Sequence, residues 1–536
     1  MTAATSDAGL LRSSRTMAIG TILSRVTGLV RTLVLAAVLG TGSLGDAYNV
    51  ANNVPNIVYE LLLGGVLTSV LVPLLVRAGR DSEADGELYA CRLLSAVIGV
   101  LAVATLLAVA FAPQLMQLLL SHPKGDQLRI GTAFARFFLP QIFFYGVGAM
   151  IGAILNTRGS FAAPMWAPVL NNLVVIATLF AFMATTNGPR LTTLTNNQVL
   201  LLGAGTTAGI VLQTIALLPA LRRVGFPLRL TVNVRGVGLR EAARLGGWTL
   251  VYVVANQAAF TVVLKLSTLL TKTQPGFGFT VYINAFLVFS LPHAIVAVSV
   301  ISALLPQMSR HATDGRLAEV ARDLARGTRL SCVVLMPASL LLIALHAPLG
   351  QLLFGHGRSV ADAGAIGTAV AVFALGIVPF SAFQLQLRAF YSFADTRTPA
   401  LINIAINAVN IVADLVLYAI LPANERVYGL AGGFALSYWV GWVITTRVLS
   451  ARLGRLGTAA TLRTLVRLFV AGGVGAAVAF GLAQLAAHTL GQGTLACLAA
   501  VLAGSAAAAV VVVVLADRMR VTEVRDLVAV VTHRSG

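Results

Sequence analysis

Apolar residues run along this chain in blocks of about 20, separated by short polar or basic stretches, from one end to the other. A block of that length is what a helix needs to cross the hydrocarbon of a bilayer, about 30 Å thick. Inside the blocks the apolar positions are continuous and do not alternate with polar ones. That pattern predicts helices, not the strands of a barrel. Fourteen spans are expected, at 16–39, 47–76, 90–120, 133–155, 165–186, 198–221, 245–270, 280–306, 329–349, 366–391, 400–420, 429–449, 464–486 and 494–516. The fold class is an all-α polytopic membrane protein with 14 transmembrane helices.

Two stretches match at a fixed offset. Pro140, Thr157, Arg158 and Asn171 recur 239 residues later as Pro379, Thr396, Arg397 and Asn410. Pro73, Arg77 and Asp81 recur 233 residues later as Pro306, Arg310 and Asp314. The matches pair spans 2–5 with spans 8–11, so the repeating unit is six helices. An even number keeps the orientation, which predicts two pseudo-symmetric six-helix bundles in parallel repeat, plus two C-terminal helices. The domain layout that follows is an N-lobe over 1–222, a basic connector over 223–244, a C-lobe over 245–450, two further spans over 451–516, and a tail over 517–536. Two repeated bundles are a transporter plan.

Composition sharpens the class. Of 536 residues, 57% are hydrophobic and 11% charged, and the mean hydropathy is +0.87, more apolar side chain than a soluble fold can bury. The net charge of +19 comes mostly from arginines between spans, which reads as topology signal and headgroup contact, not as a nucleic-acid surface. Twenty-seven of the 38 Lys and Arg fall on the side of the N-terminus and seven on the other. The positive-inside rule then puts both termini in the cytoplasm. Cys91, Cys332 and Cys497 stand alone, with no metal spacing and no disulfide framework. The first ten residues are polar, and no removable signal peptide is expected. No P-loop, H-E-x-x-H or G-x-S-x-G sequence is present, so the chain reads as a transporter and not an enzyme.

The polar residues inside the spans carry the candidate chemistry. Asn49, Asn52, Asn53 and Asn56 fall on one helical face, Tyr59 and Glu60 continue it, and Asp46 begins it. Two readings stand: hydrogen-bonded glue between helices, or the wall of a hydrated cavity. So many polar groups on one stripe favour the cavity. Asn403, Asn407, Asn410 and Asp414 form a second stripe, either a buried hydrogen-bond network or an oxygen-lined cation site. Four cations lie within spans: Arg25, Arg31, Lys265 and Arg388. Lys265, near a span end, reads as snorkelling to a headgroup. Arg25 and Arg31 are about 9 Å apart along a helix and about 120° apart around it. Both side chains are long enough to bend into one cavity, and a guanidinium fork suits a phosphate.

SRVTGLVRTLVLAAVLGTG and DAYNVANNVPN resemble the opening of the MurJ/MviN family, and ILNTRGSFAAPMWAPVLNN and RAFYSFADTRTP resemble its later signatures. The resemblance covers spans 1–12. It implies a lipid II flippase of the MOP exporter superfamily in the bacterial inner membrane. Such a protein moves an undecaprenyl-diphosphate-linked peptidoglycan precursor from the cytoplasmic to the outer leaflet. It also implies a cationic cavity between two lobes, and a lipid-tail groove on the last two helices. Implied partners are lipid II, membrane lipids and cell-wall synthesis or division proteins. By position, Arg25 and Arg31 match arginines that engage the diphosphate, and Asp46 matches an acidic residue before the second helix. Asn410 and Asp414 resemble part of a sodium site, which makes Na+ the implied coupling ion. The substrate-binding set expected from residues and resemblance together is Arg25, Arg31, Asp46, Asn49, Asn52, Asn53, Asn56, Tyr59, Glu60 and Arg388.

The chain departs from the family pattern in three places. Thr32 stands where many members have an acid. Tyr59 and Glu60 stand near an expected arginine, and Asn284 and Ala285 near another. The composition suggests an actinobacterial-type variant, and the tail reads as a plain terminus or as the start of a linker. Two alternatives stay open. One is an exporter of another polyprenyl-linked glycan or a cationic drug, working through Glu60 and Asp414. The other is a non-transporting scaffold of the cell-wall machinery.

Overall fold

A computed structural model describes residues 3–64, 83–121, 125–186, 188–229, 231, 239–274, 276–454, 456–491 and 493–524, and every regular element among them is helical. Among the described residues, twelve helices are long and apolar enough to cross a membrane, and the pair Gly357–Ala374 and Ile377–Ser392, bent by 50°, makes a thirteenth span. The expected second span, 47–76, is described as far as Gly64; its remainder, with Pro73, Arg77 and Asp81, lies outside the described residues.

The chain divides into two compact units, Met1–Gln257 and Ala258–Gly536. The first holds α1 (Ala3–Leu39), α2 (Ser43–Tyr59), α3 (Glu83–Ala110), α4 (Ala112–Leu119), α5 (Asp126–Phe138), α6 (Gln141–Thr157), α7 (Ala162–Met183), α8 (Asn196–Ile215) and α9 (Leu218–Arg223). In it, α1 packs on α7, α7 on α8, α2 on α5, and α3 on α6. Apolar burial does not drive helices together in lipid, so close approach at small residues has to. A Cβ added at Gly20 would come within 2.8 Å of the Trp166 indole, and one at Gly203 within 2.6 Å of the Phe137 ring.

A long helix, α10 (Leu239–Thr273), runs across the boundary. The second unit then holds α11 (Phe279–Pro292), α12 (Val298–Thr313), α13 (Leu317–Ala344), α14 (His346–Phe354), α15 (Ala363–Ala374), α16 (Ile377–Ser392), α17 (Arg397–Ile420) and α18 (Arg426–Leu453), followed by α19 (Thr458–Leu490) and α20 (Thr494–Arg518). Here α11 packs on α15, α13 on α16, and α18 on both α16 and α17. The α19–α20 hairpin closes on small side chains. Ala479, Ala483, Ala500 and Ala508 are buried with Leu345, and a Cβ at Gly475 would meet the Ala508 carbonyl at 3.1 Å.

Several spans expected to be continuous are broken. The third breaks at Phe111, where Pro113 sits in the first turn of a new helix. The fourth is α5 and α6 joined at Leu139–Pro140. The eighth is interrupted by a π turn at His293–Ala297. The ninth starts earlier than expected, at Leu317, so Arg322, Arg326 and Arg329 ride on a helix and not in a loop.

Two ion pairs tie connecting segments to helices. Glu523, just beyond α20, accepts from Arg329 Nε at 2.5 Å, with Val521 and Val524 buried beside it, so the first residues of the tail are docked. Burial pushes the Glu523 carboxyl up, but its backbone hydrogen bond, Arg329 and Thr522 hold it below the usual range. Asp395, between α16 and α17, accepts from the Thr398 N–H at 3.0 Å and from Arg452 Nη1 at 2.9 Å. Burial raises its carboxyl, but the two Thr398 bonds and Arg452 outweigh that and leave it below the ordinary value.

A depressed native carboxyl adds stability above the unfolded aspartate value, about 3.9, and loses it as the pH falls through the native one. The gap in thermal midpoint between wild type and Asp395→Asn is therefore expected to be full at neutral pH and to close below about pH 4. Unfolding scans of the two proteins in detergent from acid to neutral pH check this. A gap that is flat across that range would show that Asp395 contributes no ionised bond.

Candidate functional site

In the first unit, α1 carries Arg25 and Arg31. Asn172 of α7 holds this part of the helix, donating Nδ2 to the Ser24 carbonyl at 3.2 Å and to Thr27 Oγ1 at 3.0 Å. Arg25 is exposed and Arg31 half-buried. Arg31 lies within electrostatic reach of the hydroxyls of Tyr48 on α2 and Tyr145 on α6. Among the described residues neither guanidinium makes an ion pair. Intramembrane arginines are costly, and two left without an acid are available to an anion.

Tyr48 is fixed. Its hydroxyl is 2.7 Å from Thr206 Oγ1, and its ring meets Phe134 and Phe138 edge-on at 5.6 and 5.2 Å. The ring of Tyr145 lies 6.1 Å from that of Tyr59. Both tyrosines line a cavity of about 410 Å³ that also takes in Asn156 and Gln213. Arg31, Tyr145 and Tyr59 thus belong to one neighbourhood of this unit.

The asparagine stripe on α2 divides. Asp46 and Asn49 are buried and engaged with protein. Asn53 donates to the Asn49 carbonyl at 2.8 Å, Asn52 is half-buried, and Asn56 is exposed. Glu60 is half-buried at the start of a π turn, Glu60–Gly64. The first half of the stripe is thus enclosed and the second more open, and of the stripe it is Tyr59 that lines the cavity.

In the second unit, the α17 stripe makes the same local bond, Asn407 Nδ2 to the Asn403 carbonyl at 2.8 Å. One turn past it, Asn410 Nδ2 donates to Asp414 Oδ2 at 3.0 Å. Asp414 is fully buried, and among the described residues its Oδ1 has no hydrogen-bond partner. Gly433 of α18 makes room for that oxygen, since any Cβ there would collide with it. A buried carboxylate oxygen with nothing donating to it suits a hard cation. Among the described residues no cluster of three or more His, Cys, Asp or Glu side chains exists, so further ligands would have to be amide, hydroxyl or backbone oxygens.

Arg388 of α16 has a buried Nε without a partner among the described residues, and its guanidinium lies 5.7 Å from the Tyr391 ring centroid. The structure shows it near His293 and Tyr391. Lys265 is exposed on α10.

A scan against family models matches residues 35–501 to the lipid II flippase MurJ model. The chain belongs to the lipid II flippase MurJ family. Curated MurJ relatives include one from Burkholderia cenocepacia, 28% identical over 457 residues and covering 84% of each chain, and a probable lipid II flippase MurJ from Rhizobium meliloti, 28% identical over 489 residues, 88% of this chain and 86% of that one. Among solved structures, a lipid II flippase MurJ in an inward closed conformation matches with a TM-score of 0.75 at 16% identity, over 96% of this chain and 99% of that one. A multidrug MATE-family transporter of the MOP superfamily matches with 0.67 at 13% identity, over 81% and 96%. At these identities the structural matches speak for the fold.

The MurJ-family departures now have places. Thr32 turns its hydroxyl onto the Gly28 carbonyl at 3.1 Å and serves its own helix. Asn284 and Ala285 are buried in a packed aromatic layer that includes Tyr282, Phe286, Phe289, Phe373, Phe434 and Tyr438. An arginine there would displace packed rings. Asn172 and the two tyrosines within electrostatic reach of Arg31 were missed from sequence. Their signal was only a polar residue inside an apolar block, which many core positions share.

Asn172 holds α1 through two bonds from another helix, and such bonds in membrane proteins average about 0.6 kcal/mol each. Asn172→Ala is expected to cost about 1 kcal/mol and to lower the thermal midpoint in detergent, with no change in helix content by circular dichroism. An unchanged midpoint would show that α1 is held elsewhere.

Proposed function

We propose that this protein flips lipid II from the cytoplasmic to the outer leaflet, the activity named for the curated relatives that it matches over most of their length. The observation that carries the reading is the pair Arg25 and Arg31, unpaired by any acid among the described residues on a helix otherwise apolar, with Arg31 within electrostatic reach of Tyr48 and Tyr145. A diphosphate carries the charge that such a pair needs, and each guanidinium can hold two of its oxygens. Tyr145 and the open half of the α2 stripe, Asn52, Asn53, Asn56, Tyr59 and Glu60, suit the sugar's hydroxyl and amide groups. The arginine excess on one side of the spans supports cytoplasmic termini in the inner membrane.

Depletion and rescue test this. In a strain depleted of its own lipid II flippase, wild type is expected to restore the outer-leaflet lipid II pool. Arg25→Ala/Arg31→Ala is expected to lose at least about tenfold in flipping at equal membrane level, since a lost charge-assisted phosphate contact costs 1.4 kcal/mol or more. A well-expressed wild type that fails to rescue would sink the lipid II reading and turn attention to another cargo.

Sodium is proposed as the coupling ion, with Asp414 Oδ1 as the carboxylate oxygen that would hold it and Asn410 keeping the other oxygen in place. Replacing sodium by choline is expected to slow flipping by wild type. Asp414→Asn, which removes the charge but keeps the shape, is expected to flip slowly in both media. Equal wild-type rates in the two media would exclude sodium.

A further inference from the structure

Two π turns occur among the described helices, Glu60–Gly64 after α2 and His293–Ala297 after α11. Each is five residues long, and the sequences ELLLG and HAIVA share no residue in register. Yet they are related by the internal repeat. The offset of 233 that carries Pro73, Arg77 and Asp81 onto Pro306, Arg310 and Asp314 also carries Glu60 onto His293. The helices begin alike too. Gly42 caps α2 at φ −85°, ψ −159°, and Gly278 caps α11 at φ −90°, ψ −160°. Counted from those caps, the π turns fall within one helical turn of each other. The backbone irregularity is kept in both halves although the side chains are not, so backbone geometry is the feature that the two halves share.

We propose that the two π turns are matched hinges, at which spans 2 and 8 bend during the transport cycle, and that the His293–Ser381 hydrogen bond is the catch on the second. This rests on the transport reading above. A π turn holds one residue more than the α-helix would, with strained i to i+5 bonding, as from the Val298 N–H to the His293 carbonyl. In hydrocarbon, opening an ordinary helix leaves peptide groups bare, so bending concentrates where the regular ladder is already broken. A proline adds to each break. Pro55 lies five residues before the first turn, and Pro292 directly before the second. Beyond the second turn the helix is little enclosed: of the 16 residues of α12, two are buried, Ile301 and Met308, and its far end is tied to α13, where Gln307 and His311 meet Asp323.

The catch joins this turn to α16. His293 Nδ1 is 2.8 Å from Ser381 Oγ, Ser381 is buried, and the imidazole packs on Phe380 at 4.5 Å between centroids. The Glu60 side chain, at the matching position, makes no hydrogen bond or ion pair with another described residue. Among the described residues, the side-chain catch is found on the second turn.

Spin-label distances in nanodiscs test this within the second unit alone. Labels go on cysteines placed at Ser302, beyond the turn, and at Val443 on α18; the control pair is Leu287, before the turn, with Val443. The native Cys91, Cys332 and Cys497 are buried and label poorly. Wild type is expected to give a broad or double distance for Ser302–Val443 and a single narrow one for the control. Ser381→Ala is expected to shift the ratio of the two Ser302–Val443 populations about threefold, as one interhelical bond would. Deleting Ile295 removes the extra residue, keeps both flanking faces in register, and is expected to leave one narrow distance and at least about tenfold slower flipping. A Ser302–Val443 distance as narrow as the control, with and without lipid II in the disc, would overturn the hinge. So would full flipping by the deletion variant. If that variant does not reach the membrane, the wild-type and Ser381→Ala distances decide. Because the distances need no cargo, a double distance in a protein that fails to rescue would keep the hinge and reject the lipid II reading.

Discussion

The constraint on which this structure depends is that a peptide group in hydrocarbon must find its partner within its own helix or be covered by protein. The chain meets it with long helical hydrogen-bond ladders, and several hydroxyls inside the spans find their partners on the same helix. Thr27, Thr32, Ser267, Ser299 and Ser302 each turn a hydroxyl back onto the carbonyl four residues earlier. Each departure from regularity then needs a stated cause. Pro113 starts a new helix, Pro140 divides the fourth span, and Leu375–Gly376 bends the tenth where Gly376 comes close to Ala435.

The same constraint sorts the polar side chains. Asp46, Asn403 and Asp414 are fully enclosed, because a carboxylate or amide facing lipid would be far more expensive. Within this common frame the two repeats have diverged chemically. The first keeps two arginines without acids and a stripe that opens toward a tyrosine-lined cavity. The second fills the corresponding level with edge-on and tilted aromatic rings and keeps one enclosed acid beside an asparagine. The frame supplies mechanical symmetry, and the side chains give each half a different task.

Sequence patterns revealed what depends on composition over a window. Apolar block length placed thirteen of the spans, and 3.6-residue spacing put the asparagines of α2 and of α17 on single faces, as found. The offset of 239 residues also paired Asn171 with Asn410, both buried in the structure. What stayed hidden depends on contacts distant in sequence. The aromatic layer is assembled from α11, α15, α16 and α18, none of which is unusual alone. The docking of Glu523 on Arg329 joins residues 194 apart. The π turns leave the hydropathy of their spans unchanged, so a window average passes over them. The site was half legible: residue types and faces could be read, but not which half of the α2 stripe was enclosed.

The elbow in the tenth span bears on how the chain enters the membrane. Its arms, α15 and α16, have 12 and 16 residues, about 18 and 24 Å, and each is shorter than the bilayer's apolar thickness. During synthesis neither arm alone is a secure stop for the insertion machinery, so the two must be accepted together, with α13 already present as a surface for α16. Four long helices follow, and their direction of threading depends on that one joint acceptance. A polar substitution near Leu375 would therefore act during biogenesis, by letting the remaining third of the lobe and the terminal hairpin thread the wrong way, whatever its effect on the finished fold.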